Sequence, residues 1–153
     1  MNSITEKCSM SVPLPLRNEE PTTVKAVEVA LSTLSPQTNT GLVSAKSANT
    51  IPVSSDCTVY DYPVATKLFS FGTAAINGRY PAKGRVANTA CEEIYYVISG
   101  SGTVHSGRGD AKLHQGDVYH FLKDELYSVD GDKLFVAMMN VPPWTPAQHK
   151  VSE

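Results

Sequence analysis

The chain predicts an all-β domain, a sandwich or a barrel of short strands. Two features of the 153-residue sequence predict it. From Cys57 onward, short β-branched and aromatic runs alternate with Gly, Pro, Asn and Asp, the residues that punctuate strands. Lys133 to Val141 then reads LFVAMMNV after its lysine, apolar on both parities, as expected of a strand buried on both faces.

Residues 1–55 differ from the rest. They are rich in Ser, Thr, Asn and Pro and contain no aromatic residue. Within them Val24, Val27, Leu31 and Leu34 recur at helical spacing between Pro21 and Pro36, which predicts a short amphipathic helix over 22–34. Its apolar stripe suits packing on the outside of the domain or docking on a second subunit. Gln37 to Ser55 reads as linker, with extended pieces at Gly41–Val43 and Thr50–Val53. The strands expected next are Cys57–Tyr62, Lys67–Ala75, Arg85–Thr89, Glu93–Ile98, Thr103–His105, Asp110–Leu113, Asp117–Leu122, Tyr127–Val129 and Lys133–Asn140. Gly100-Ser101-Gly102 predicts a hairpin turn, and Asp130 to Asp132 a second connection. Pro142-Pro143 stops the last strand because proline donates no ladder hydrogen bond. This divides the chain into an extension (1–55), a barrel (56–143) and a tail over the surface (144–153).

Composition excludes several classes of partner. A formal net charge of −2 gives no electrostatic basis for binding nucleic acid or an anionic membrane. No apolar run reaches the roughly 20 residues of a membrane span, and the N-terminal residues contain no uninterrupted apolar core of a secretory signal. Cys8, Cys57 and Cys91 fit neither a disulfide framework nor a metal clip, so a reducing, cytoplasmic setting is expected.

The central stretch is Thr89 to Val104, TACEEIYYVISGSGTV. Glu93 followed after six residues by Gly100, and the later turn His114-Gln115-Gly116-Asp117, resemble the two motifs of the cupins. GRYPAKGRVANTACEEIYY and PPWTPAQHK resemble small single-domain cupins that lack the paired histidines. The resemblance covers about Ile76 to Pro143 and implies a double-stranded β-helix, the jelly-roll barrel. It also implies an inward-facing Glu93. Where metal-binding cupins place histidines, this chain has Ala87, Thr89 and Tyr127, so three of the four ligands are replaced. No cofactor and no metal are therefore expected. A site improvised from Glu93, Cys91 and His120 is the alternative, since His105 and His114 belong to turns and His149 to the tail.

Side chains alternate along a strand, so Tyr95 and Val97 share the face of Glu93, with Cys91 and Thr89 on it if the strand is straight. By the resemblance Tyr127 lies opposite. A carboxyl withdrawn from water has its pKa raised toward proton-transfer values, and a phenol can hydrogen-bond a developing enolate oxygen. Glu93, Tyr127, Tyr95 and His120 are the candidate catalytic residues, and Arg85, Thr89, Cys91 and Val97 candidate ligand contacts. Arg79, Lys83 and Arg85 surround a loop suited to an anionic group, or simply solvated. Cys91 beside two glutamates is a poor nucleophile, because like charge raises its thiol pKa.

The expected function is binding of a small molecule inside the barrel, with metal-independent acid/base chemistry of isomerase, lyase or cyclase type on a carbonyl or phenolic metabolite. A non-catalytic sensing or scaffold module and a metal-dependent oxygenase or isomerase with unusual ligands are the alternatives. Exposed jelly-roll edges predict a homodimer.

Overall fold

The computed structural model describes residues 41–152, so the helix expected over 22–34 lies outside the described residues. Nine strands follow in order: β1 (Asn49–Ser54), β2 (Cys57–Tyr62), β3 (Ser70–Tyr80), β4 (Arg85–Asn88), β5 (Glu92–Ser106), β6 (Gly109–His114), β7 (Val118–Phe121), β8 (Tyr127–Val141) and β9 (His149–Ser152). All belong to one curled sheet of the jelly-roll type, with the path β1-β2-β3-β8-β4-β9. Strand β5 joins it by pairing with β8 along almost its whole length. On its other side β5 pairs first with β7 and then with β6.

Two expected turns are strand interiors. Gly100 to Gly102 lie within β5, and Asp130 to Asp132 within β8, so each 15-residue strand replaces two predicted shorter ones. The physical reason is close backbone approach. A Cβ on Gly100 would stand 2.1 Å from the Lys133 carbonyl oxygen, and one on Gly131 2.6 Å from that of Ile76. Glycine here admits a neighbouring strand rather than reversing the chain. Register shifts at Val97/Ser99 and Ser99/Ser101 change the parity of the buried face, from Glu93, Tyr95 and Val97 to Val104 and Ser106. Strand β3 likewise runs past the expected break at Asn77-Gly78, through a register shift, to Tyr80.

The sheet extends beyond the expected barrel at both ends. Strand β1, read as linker with an extended piece, is an edge strand paired only with β2, a position that tolerates Pro52. The C-terminal segment does not run loosely over the surface. After a 3-10 turn at Pro146–Gln148, β9 pairs with β4, from Arg85↔Ser152 to Asn88↔His149.

The core occupies the concave side of the curl. Val97, Val104, Val129 and Val136 are fully buried, and Ile76, Leu134 and Val86 nearly so. Phe121 on β7 sits among tyrosines, its ring centroid 4.8 Å from Tyr95, 4.5 Å from Tyr119 and 4.1 Å from Tyr127. Such tilted and edge contacts suit aromatic quadrupoles.

Candidate active site

Alternation along β5 turns Glu93, Tyr95 and Val97 to the concave side, while Glu92, Tyr96 and Ile98 face out. Pairing across the sheet then sets the row. Glu93 stands opposite Asn140 of β8 and Phe121 of β7, and Tyr95 opposite Met138 and Tyr119. Tyr127 enters from the far end of β8, and its hydroxyl donates to Glu93 Oε2 at 2.9 Å. Asn88, on β4, donates from Nδ2 to the same oxygen at 3.2 Å.

Glu93 is 6% exposed. Burial pushes its pKa up, and hydrogen bonds from Asn140, Tyr127 and Asn88 only partly offset that push. The protonated acid is thus favoured relative to an ordinary carboxyl. Tyr127 and Asn88 both donate to Oε2, which gives that atom the role of the carbonyl oxygen in the protonated acid. The phenols respond in the same sense. Burial, then the nearby Glu93 carboxyl, raises the pKa of both Tyr95 and Tyr127. Tyr80 is raised by burial, then by Cys57 and Glu93. These phenols are therefore hydrogen-bond donors, not phenolates.

Sequence reasoning did not single out Asn88, Asn140 or Trp144. Trp144 is positioned by Pro142-Pro143, and its backbone N–H donates to Ser70 Oγ at 3.0 Å. Its indole Nε1–H donates to Asn88 Oδ1, also at 3.0 Å. This fixes the orientation of the Asn88 amide, so that Nδ2 must face Glu93. Asn140 Nδ2 points to the Cys91 sulfur at 3.7 Å. The two asparagines flanking an inward acid were the available signal, since buried amides are rarely found without a partner.

The other predicted residues divide. Cys91 is buried beside the acid, and burial followed by the Glu93 charge pushes its thiol up to about 11. Val97 belongs to the core. Thr89 is tied to the C-terminal segment, its backbone N–H and its hydroxyl both donating to the Gln148 carbonyl at 2.8 and 3.0 Å. His120 is directed outward and meets Glu92 Oε2 at 2.8 Å, because Tyr119 and Phe121 take the inward parity of β7. It does not join Glu93. Arg85 is exposed at the β4 edge and gives no support to the acid. In the same loop Arg79 is engaged with Asp130 at 3.5 Å and the Gly84 carbonyl at 3.2 Å.

His105 is not a free hairpin end either. Its Nδ1 lies 2.8 Å from Asp110 and its Nε2 3.0 Å from Asp130 on the outer face. A second acid, the half-buried Glu125, lies beside Tyr119. It meets Arg108 at 2.8 Å, the Tyr119 hydroxyl at 3.1 Å and the Leu122 N–H at 2.9 Å. Burial raises its pKa, but these bonds outweigh burial and hold it below the usual carboxylate range. The two acids are opposite in character, one held as carboxylate and one favouring its proton.

The residues present do not fit the metal that the resemblance would bring. Ala87 has no donor, Thr89 is occupied by Gln148, and Tyr127 hydrogen-bonds Glu93 instead of standing free. Among the described residues no three His, Cys, Asp or Glu side chains converge on one point.

No protein-family model matches the chain, and no curated protein matches it. Solved structures do. Pac13 from Streptomyces, described as a unique nucleoside dehydratase and seen with uridine, is similar with a TM-score of 0.67 at 10% identity, over 75% of this chain and 92% of that one. A sugar phosphate isomerase from a cupin superfamily, from Silicibacter pomeroyi, gives a TM-score of 0.57 at 10% identity, over 74% and 82%. KdgF from Halomonas sp. gives 0.54 at 13%, over 67% and 94%. At these identities the likeness is one of fold.

Proposed function

We propose that this chain, a cupin by fold, binds a small organic molecule on the concave side of its barrel and acts on it by metal-independent acid/base chemistry of isomerase, lyase or cyclase type. The observation that supports this reading is the pairing of Glu93 and Tyr127, a buried acid with a raised pKa whose Oε2 is held by a phenol and an amide. Glu93 gives or takes the proton through Oε1. The phenols of Tyr95 and Tyr127 hydrogen-bond the oxygen on which enolate charge develops. Asn88, fixed by Trp144, is a positioning residue.

The substrate of this reading is a small carbonyl compound with an exchangeable proton. Solvent-proton exchange into hydroxycarbonyl compounds, followed by NMR in deuterated buffer, tests it. Glu93→Gln and Tyr127→Phe should keep the fold and lose exchange; full activity in both variants would exclude the assignment. One observation favours a non-catalytic scaffold instead. Phe121 packs within 4.1–4.8 Å of three tyrosine rings and fills part of the concave side. A homodimer remains part of the proposal, with the β1 edge as the surface to be covered.

A further inference from the structure

We infer that the ligand of the concave side is uncharged, a hydroxycarbonyl or polyol recognised by hydrogen bonds, and neither a phosphate or carboxylate nor an amine. The inference rests on the acid/base reading above and names its substrate class.

The first observation concerns where the cations are. Among the described residues every lysine is exposed, as is Arg85. Arg108 lies over the Tyr119 ring, 5.1 Å from its centroid, but its charge is taken by Glu125 at 2.8 Å. Arg79, half-buried, is taken by Asp130 and Gly84. Of the histidines, His105 is flanked by Asp110 and Asp130 on the outer face, while His114 and His120 are exposed. His149 lies against Trp144 with ring centroids 5.9 Å apart, and burial holds its pKa down, so the ring stays neutral. Among the described residues no unpaired cation faces Glu93, so an anionic group there would meet a carboxyl and phenols. Buried anions are held by paired cations or by converging donors, and here the donors already serve the acid.

The second observation concerns the acid itself. An amine would require Glu93 to ionise inside a wall of Val97, Tyr95, Phe121 and Tyr127. Both ions would then lose water together, which the attraction between them repays only with excellent geometry. The arrangement seen suits the neutral acid better. Oε2 accepts from Tyr127 and Asn88, and a protonated Oε1 offers a donor to a carbonyl or hydroxyl oxygen. Asp61 has the same tendency. It shares the inward row of β2 with Val59 and Cys57, opposite Gly72, and burial raises its pKa against the hydrogen bond of Asn49. Around Glu93 itself, neutral phenols and the Asn88 amide offer donors and acceptors without formal charge.

The test uses the full chain labelled with 3-fluorotyrosine, whose fluorine resonances report on the concave tyrosines once assigned by single Tyr→Phe variants. Matched probes differ by one charged group: ribose against ribose 5-phosphate, uridine against uridine 5′-monophosphate, and hydroxyacetone against aminoacetone. Neutral members should shift the Tyr95, Tyr119 and Tyr127 resonances, with charged partners weaker by about tenfold or more. Glu93→Gln, a neutral isostere, should bind the neutral probe within a few-fold while losing proton exchange. A phosphate or amine that binds there as well as its neutral partner overturns this inference and leaves the acid/base reading standing. Resonances silent to every probe overturn both.

Discussion

Tyr127 and Glu93, 34 residues apart in sequence and on different strands, share a buried hydrogen bond of 2.9 Å. The phenol opens β8 and the acid lies at the start of β5, yet these strands pair antiparallel and place their first residues at opposite ends. Only the inward reach of the tyrosine across the curl brings the two groups together.

The first prediction concerns the worth of that bond. Tyr127→Phe leaves a buried acid one donor short and should cost about 1–3 kcal/mol, read from urea unfolding midpoints. In a Glu93→Leu background the same change should be near neutral or stabilising, because the phenol hydroxyl has by then lost its acceptor. Equal losses in both backgrounds would show that the pair is not coupled.

A second prediction follows from the raised pKa of Glu93. In the folded state the acid binds its proton to higher pH than in the unfolded chain. The contribution is complete below the unfolded carboxyl pKa and is lost as pH rises through the folded one. Asp61 acts in the same direction. Stability of the parent chain relative to Glu93→Gln should therefore fall as pH is raised above about 4.3, the unfolded glutamate value. Parallel stability curves for the two proteins across that range would contradict the placement of the acid.

His105 gives the third. Hydrogen bonding to Asp110 is the leading cause of its raised pKa, supported by Asp130 and opposed by some desolvation. Its contribution to stability is present below the ordinary histidine pKa and lost as pH rises through the folded one. The ring protons of His105 should titrate above the ordinary histidine value in an NMR series, and Asp110→Asn should bring that titration down. Titration of the parent His105 at the ordinary value would refute the double contact.

The fourth concerns glycine. Gly100 has φ +77°, and an added Cβ would be driven into the Lys133 carbonyl, so Gly100→Ala should cost about 3 kcal/mol or more, or prevent soluble expression. At Gly107 a Cβ meets nothing within 4 Å, and Gly107→Ala should stay within about 0.5 kcal/mol of the parent. Thermal or urea unfolding of the two variants makes the comparison.

Trp144 supplies the fifth, as the only tryptophan in the chain. Trp144→Phe keeps an aromatic ring but removes the donor to Asn88, and should cost about 1 kcal/mol. Deleting residues 149–153 removes β9 and should shift the Trp144 emission toward that of a solvated indole. An unchanged spectrum would mean that the segment docks without β9.

Much of the arrangement is written in local pattern. Period-two alternation at Glu93, Tyr95 and Val97 fixes which face they share, and the β-branched, aromatic run Cys57–Tyr62 fixes β2 to the residue. Those signals survive because they depend only on neighbours in the chain. Tertiary structure decided the rest. A glycine reads alike whether it reverses the chain or admits a second backbone, so Gly100 and Gly131 told nothing until β3, β5 and β8 met there. Val118 to Leu122 is apolar on both parities, and only the packing of Tyr119 and Phe121 against Tyr95 and Tyr127 sent His120 outward to Glu92. The acid was visible in sequence, and Asn88 lies only five residues before it, but the tryptophan that orients Asn88 comes from 56 residues further along the chain. Non-local contacts of that kind leave no periodicity to read.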